Sequence, residues 1–146
     1  MTRYMLLQDY AGPAGCKPMT EWDPADVKAH IDFQIFGGTV ETLDGGVVLS
    51  VGSAIMGPQV FEKSESCVNN LRLQAGRPGI AGHSIFVVDL QDGGGWDWTQ
   101  GEPPKTNAAY YLRFCKSFSR MGAPMHYLQS DNASFVHHLM HALQKV

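Results

Sequence analysis

From Val47 onward the chain alternates between two hydrophobic periods: short runs of consecutive β-branched and aromatic residues, and longer stretches in which apolar residues recur three and four positions apart. The first pattern predicts strands covered on both faces, and the second predicts amphipathic helices. Val47-Val48-Leu49-Ser50-Val51 is the first strand, ended by Gly52-Ser53-Ala54. A helix from Pro58 to about Ala75 follows, with Val60, Phe61, Ser64, Cys67, Val68 and Leu71 at helical spacing, and Gly76 and Pro78 stop it. Ser84 to Leu90 is the second strand. Asn107 to Met121 reads as one helix with Tyr110, Tyr111, Phe114, Phe118 and Met121 on its apolar stripe, ended by Gly122. Met125 to Gln129 is a third strand, and Asp131 caps a last helix in which Phe135, Val136, Leu139, Met140 and Leu143 face inward.

Strands that alternate with helices imply parallel pairing through right-handed crossovers, because a tight hairpin cannot return a parallel strand. The expected fold is therefore α/β, a three-layer Rossmann-like βαβαβα unit with a parallel sheet. All three strands then point one way. The residues that follow them, Gly52-Ser53, Gln91-Asp92-Gly93 and Gln129-Ser130-Asp131, share the carboxyl edge, where open α/β sheets bind ligands.

The first third is patterned differently. Arg3 to Gln8 reads as a strand, and Ala11 to Pro18 as a Gly/Pro/Cys turn. Asp23-Pro24 opens a helix, since the aspartate can cap free N–H groups while proline takes the first position, and Val27 and Ile31 lie four apart on one face. The helical pattern fails near Phe36-Gly37-Gly38, from there to Gly46 the polar, glycine-rich text reads as a hairpin or joint, and a composition boundary falls between about Gln34 and Gly46. The expected division is a strand–helix segment over 1–38 and a Rossmann-like domain over 39–146.

Composition narrows the class. A chain of 146 residues with 44% apolar side chains falls in the single-domain range. Its net charge of −3, with no lysine or arginine cluster, argues against nucleic acid as a partner. Cys16, Cys67 and Cys115 are scattered and odd in number, which fits reduced thiols in a cytoplasm better than a secreted disulfide framework. The apolar run near Met1 is too short for a signal peptide and no stretch reaches the length of a membrane span, so a soluble, cytoplasmic protein without a membrane partner is expected.

The candidate chemistry lies in the loops. Gly52 and Ser53 join a strand end to a helix N-terminus, a turn that suits a phosphate or dinucleotide backbone and equally suits an unliganded βα turn. The loop from Gln91 to Lys105 is long for a βα connection and interleaves Asp92, Asp97 and Glu102 with Trp96 and Trp98. Carboxylates and indoles together can hold an organic cation, whereas tryptophans in a loop also pack as a satellite cluster or an oligomer interface. His137, His138 and His141 include an i, i+4 pair without evident further ligands, so a solvated face is expected rather than a metal. Lys116 reads as a snorkelling surface lysine or, if buried, as a Schiff-base amine.

The segment Gly45 to Lys145 resembles the C-terminal half of deoxyhypusine-synthase-like proteins, mostly an uncharacterised bacterial branch. The resemblance rests on the Gly-Gly-strand-Gly-Ser turn, Gln59-Val60-Phe61-Glu62-Lys63, the acidic glycine loop, and Asp131-Asn132-Ala133-Ser134-Phe135 opening the last helix. It implies an NAD-dependent aminoalkyl transferase acting on a polyamine, with sites shared between subunits of a homo-oligomer. Lys116 would be the nearest match to the imine-forming lysine. Asp92 and the Gly93 loop, with Asp131, would match nucleotide- or polyamine-contacting positions; together with the Gly52-Ser53 turn they make the expected cofactor set, while Trp96, Asp97, Trp98 and Glu102, from their own mixture of carboxylates and indoles, make the expected set for a polyamine-like cation. The family's serine-rich acidic loop is glycine- and tryptophan-rich here, and Phe114-Cys115 precede Lys116 in place of a Trp-Gly pair.

Met1 to Tyr10, Met19-Thr20-Glu21-Trp22 and the helix from Pro24 to Gln34 resemble the start of YCII-related proteins, small dimeric ferredoxin-like domains. That resemblance marks His30 as the helix histidine, although the Asp-Gly-Pro-Phe segment that would supply its acidic partner does not follow. The two resemblances meet near Phe36 to Gly46, as in a fused or truncated reading frame. Expectations therefore run from an incomplete deoxyhypusine-synthase-like protein, through a non-enzymatic oligomeric α/β interaction module with Trp96 and Trp98 as anchors, to a YCII-related dimer.

Overall fold

The computed structural model describes residues 24–53 and 56–145. The expected strand Arg3–Gln8, the turn from Ala11 to Pro18, Cys16 and the Asp23 cap lie outside the described residues. The elements in chain order are α1 (Pro24–Glu41), β1 (Val47–Val51), α2 (Met56–Gln74), β2 (Ser84–Asp89), α3 (Arg113–Ser119), β3 (Met125–Gln129) and α4 (Asn132–Leu143), with single 3₁₀ turns at Trp98–Gln100 and Ala108–Tyr111 between β2 and α3. The three strands form one sheet in the order β1-β2-β3, and both pairings are parallel, Val48 opposite Ile85 and Ile85 opposite Met125. The Rossmann-like α/β unit expected from the alternation of periods is present.

The alternation of side chains across the sheet divides it into unequal faces. On one face Val48, Ile85, Val87 and Met125 meet Phe61 and Val68 of α2, Phe114 and Phe118 of α3, and Val40 of α1 in a single core. The other face is mostly open: Val47 is 58% exposed and Leu49 46%, and of its strand residues only Val88 is fully buried. β1, expected to be covered on both faces, is thus an edge strand with one covered face.

Three helices depart from expectation. α1 continues through Gly37 and Gly38 to Glu41 because its last turn is anchored: Val40 is 4% exposed in the core, and the Arg72 side chain of α2 donates to the Glu41 carbonyl. Packing here outweighs the roughly 1 kcal/mol that each glycine costs a helix. The joint narrows to residues 42–46, and the division placed between residues 38 and 39 falls inside α1. The helix expected over Asn107–Met121 is broken at Leu112, whose ψ of 80° is not helical and whose side chain is buried. The 3₁₀ turn before it is pinned by Asn107, which accepts from the Ala109 N–H and donates to the Gly94 carbonyl, and Tyr111 is rotated out to 71% exposure. In α4 no residue is buried; Val136, Met140 and Leu143 are exposed, since the helix packs against β2 without a second layer over it among the described residues.

At the amino edge of the sheet a charged side chain seals the joint. Arg72, 5% exposed, donates from Nη1 to Asp44 Oδ1 at 3.1 Å, and the same carboxylate oxygen accepts from the Ala81 N–H at 3.0 Å. These hydrogen bonds hold the Asp44 carboxyl down at about 2.

Candidate functional site

The carboxyl edge is built from the ends of β1, β2 and β3. Gly52 leaves β1 with φ of 69°, a conformation that costs residues with a Cβ. It also lies so close to α4 that any Cβ at this position would collide with Asn132 Nδ2. The exit of β1 and the N-terminus of α4 therefore meet directly. Ser53 Oγ accepts from the Gly57 N–H at 2.8 Å at the start of α2, and Asp131 Oδ1 accepts from the Ser134 N–H at 2.9 Å at the start of α4. Both residues cap helices, satisfying donors that helix ends leave free. The Asn132 side-chain oxygen is buried without a hydrogen-bond partner beside this junction.

The β2 exit is shaped by Tyr127 of β3. Its hydroxyl donates to the Gln91 carbonyl at 2.6 Å, while its ring lies against Gly93. Burial, with the nearby Asp89 charge adding to it, pushes this phenol up to about 12. Asp92 Oδ1 accepts from the Gly94 N–H at 2.8 Å, closing an Asx turn over the same spot. Gly52, Ser53, Asp92, Gly93 and Asp131 thus all lie at the strand ends named from the sequence.

The tryptophan loop is more dispersed. Trp98 is 4% exposed and belongs to the core, so it has no free face for a ligand or a partner. Trp96 is half-buried and donates from its indole to the Gly101 carbonyl at 2.9 Å. Asp97 is exposed and caps the 3₁₀ turn at Trp98; hydrogen bonds from the Thr99 hydroxyl, the Thr99 N–H and Gln100 lower its pKa. Glu102 takes two cations: Arg120 Nη2 at 2.8 Å, the main cause of its lowered pKa, and Lys116 Nζ at 3.6 Å. Lys116 is 17% exposed in its side chain, and its Nζ also stands 3.7 Å above the Tyr110 ring. A carboxylate and an aromatic face are the partners that an alkylammonium takes.

Four residues that shape this region were not among the site residues expected from the sequence: Asn107, Tyr127, Asn132 and Tyr110. Asn132 follows the capping Asp131 as the first residue of α4. His137 and His138 stack edge to face on the exposed side of α4, and among the described residues no group of three metal-ligating side chains converges. His30 is half-buried on α1 with Gln34 Nε2 2.9 Å from its Nε2. Cys115 is fully buried, and desolvation raises its thiol to about 12, which makes it a packing residue. No helix among the described residues is long and apolar enough to cross a membrane. The chain matches no family model, and no match was found among curated proteins or solved structures.

Proposed function

We propose that this chain is a deoxyhypusine-synthase-like protein that binds NAD at the carboxyl edge of its sheet and a polyamine-like cation beside Glu102. The observation that carries this reading is the junction of Gly52, at the exit of β1, with Asn132, the first residue of α4. A helix N-terminus set against a strand exit at the carboxyl edge of a parallel sheet favours the phosphates of a dinucleotide. The Glu102 carboxylate and Tyr110 ring already surround one alkylammonium, that of Lys116, and a polyamine presents the same group. Lys116 is the candidate amine for covalent capture of an oxidised substrate; NAD would accept the hydride as a polyamine C–N bond is oxidised to an imine, and the lysine amine would take over that imine carbon while the remaining amine portion of the polyamine leaves. Isothermal titration with NAD and with spermidine tests the reading, and silence of both at millimolar concentration refutes it. Borohydride trapping in the presence of NAD and spermidine is expected to label the wild-type chain and not Lys116→Ala.

A second reading follows from the exposed apolar residues Val47, Leu49 and Leu128 on the sheet and Val136, Met140 and Leu143 on α4. Such a surface suits an oligomeric interaction module. Its anchors would be these residues rather than the covered Trp98. Sedimentation equilibrium is expected to show self-association that Leu128→Asp with Met140→Asp abolishes; a monomer at high concentration removes this reading.

A further inference from the structure

We propose that the outer edge of β1 takes this chain's own Arg3–Gln8 segment as a fourth parallel strand. The outer edge of β1 borders a groove of about 520 Å³, walled by Phe36, Thr39 and Val40 of α1 and by Met56 and Val60 of α2. Every residue of β1 lines it, so the groove runs along the strand rather than across it.

The backbone at this edge is set up for pairing. The Ser84 N–H donates to the Gly46 carbonyl, and the Gly52 N–H donates to the Val88 carbonyl. In a parallel ladder alternate residues face the neighbour, so the even-numbered residues of β1 bond β2. Val47, Leu49 and Val51 therefore direct their N–H and C=O groups into the groove. Among the described residues no strand pairs with them. An edge of this kind, flanked by exposed Val47 and Leu49, is a template for another strand.

The helix order selects the occupant. α1 packs against α2 and delivers Val40 to the same core as Phe61 and Val87, so both helices lie on one face of the sheet. α2 is the crossover from β1 to β2. A crossover of the same hand through α1 and on the same face requires its first strand beside β1 on the side away from β2, which is the free edge. The chain ahead of α1 holds one strand-patterned segment, Arg3-Tyr4-Met5-Leu6-Leu7-Gln8. Its four consecutive apolar residues suit a position with α1 and α2 on one side and Val47 and Leu49 alongside. The 15 residues from Asp9 to Asp23 reach roughly 50 Å when extended, against a length of about 27 Å for α1, so the connection spans the distance.

Residue-resolved amide exchange on the full chain tests the proposal. The amides of Val47, Leu49 and Val51 are expected to be protected like those of Val48 and Ser50, and nuclear Overhauser contacts are expected between Tyr4–Leu7 and Val47–Val51. Leu6→Pro should speed exchange at the three odd-numbered amides at least tenfold while Val48 and Ser50 stay protected. Unprotected odd-numbered amides in the wild type, or protection without those contacts, overturns the assignment, and both observations stand even if the variant does not fold. Protection that appears only as concentration rises identifies a second copy as the occupant, and protection gained only with an added small apolar ligand identifies a pocket; either result overturns it.

Discussion

The Tyr127 ring stands where a side chain at position 93 would begin: a Cβ built on Gly93 lies 2.5 Å from Tyr127 Cδ1. The strand β3 thereby dictates that the loop leaving β2 carry no side chain at this point. Gly93→Ala forces the ring or the loop aside, and overpacking of this kind costs about 1–3 kcal/mol. Urea denaturation of Gly93→Ala is expected to show that loss. Tyr127→Phe, which gives up the bond to the Gln91 carbonyl, is expected to lose about 1 kcal/mol.

Gly52→Ala carries two separable penalties, a positive φ and a collision with Asn132 Nδ2. The first alone amounts to about 1–2 kcal/mol. Adding Asn132→Ala to Gly52→Ala removes the collision and not the backbone strain, so a double-mutant cycle is expected to recover part of the loss. Simple additivity of the two substitutions would show that they do not touch. On the proposed function, Gly52→Ala also weakens NAD binding in the same titrations.

His83 gives the fold an acid-side weakness near neutrality. It is 3% exposed, neither ring nitrogen has a hydrogen-bond partner, and burial lowers its pKa from the ordinary 6.5 despite the nearby Asp44. As pH falls below about 6.5 the unfolded chain takes up a proton first, so stability drops until the folded histidine also titrates. Urea midpoints of the wild type are expected to fall between pH 7.5 and 5.5, and those of His83→Leu to fall less. A second loss belongs to Asp44, whose contribution disappears as pH drops from 3.8 through about 2.

Glu65 works in the opposite direction. It is 8% exposed on α2, and desolvation raises its pKa from the ordinary 4.5. Above that ordinary value the unfolded chain ionises more readily than the folded one, so stability declines as pH rises through the raised value and stays lower at pH 7. Glu65→Gln is expected to raise the thermal midpoint at pH 7 and to leave it unchanged at pH 4. Equal shifts at both pH values would assign the effect to packing instead of charge.

The sequence made the parallel core legible because strand and helix periods there are unmixed: Met125–Gln129 is bounded as its pattern reads, and Asp131 caps α4 as its position implies. It misled where long-range contacts override local preference. Gly37 and Gly38 look like a stop, yet Val40 docking carries α1 past them. The aromatic stripe from Tyr110 to Phe118 looks continuous, yet the Asn107 bonds and the burial of Leu112 break it. The buried polar residues Arg72 and His83 have no local signature, since the groups that make them interior residues lie far away in the chain. At the site, topology placed the strand-end residues together, whereas the sequence could not tell that Trp98 faces the core.

The clamp around Arg72 bears on how the chain can be rearranged. The groups that this guanidinium holds, the Asp44 carboxylate and the Glu41 carbonyl, both precede Gly45 and the parallel sheet that follows it. A graft that replaced everything before Gly45 would leave a cation stranded in the interior of α2 unless the new piece brought its own acceptors. The two differently patterned parts are therefore not interchangeable modules: a buried cation of the second is held by acceptors that the first supplies.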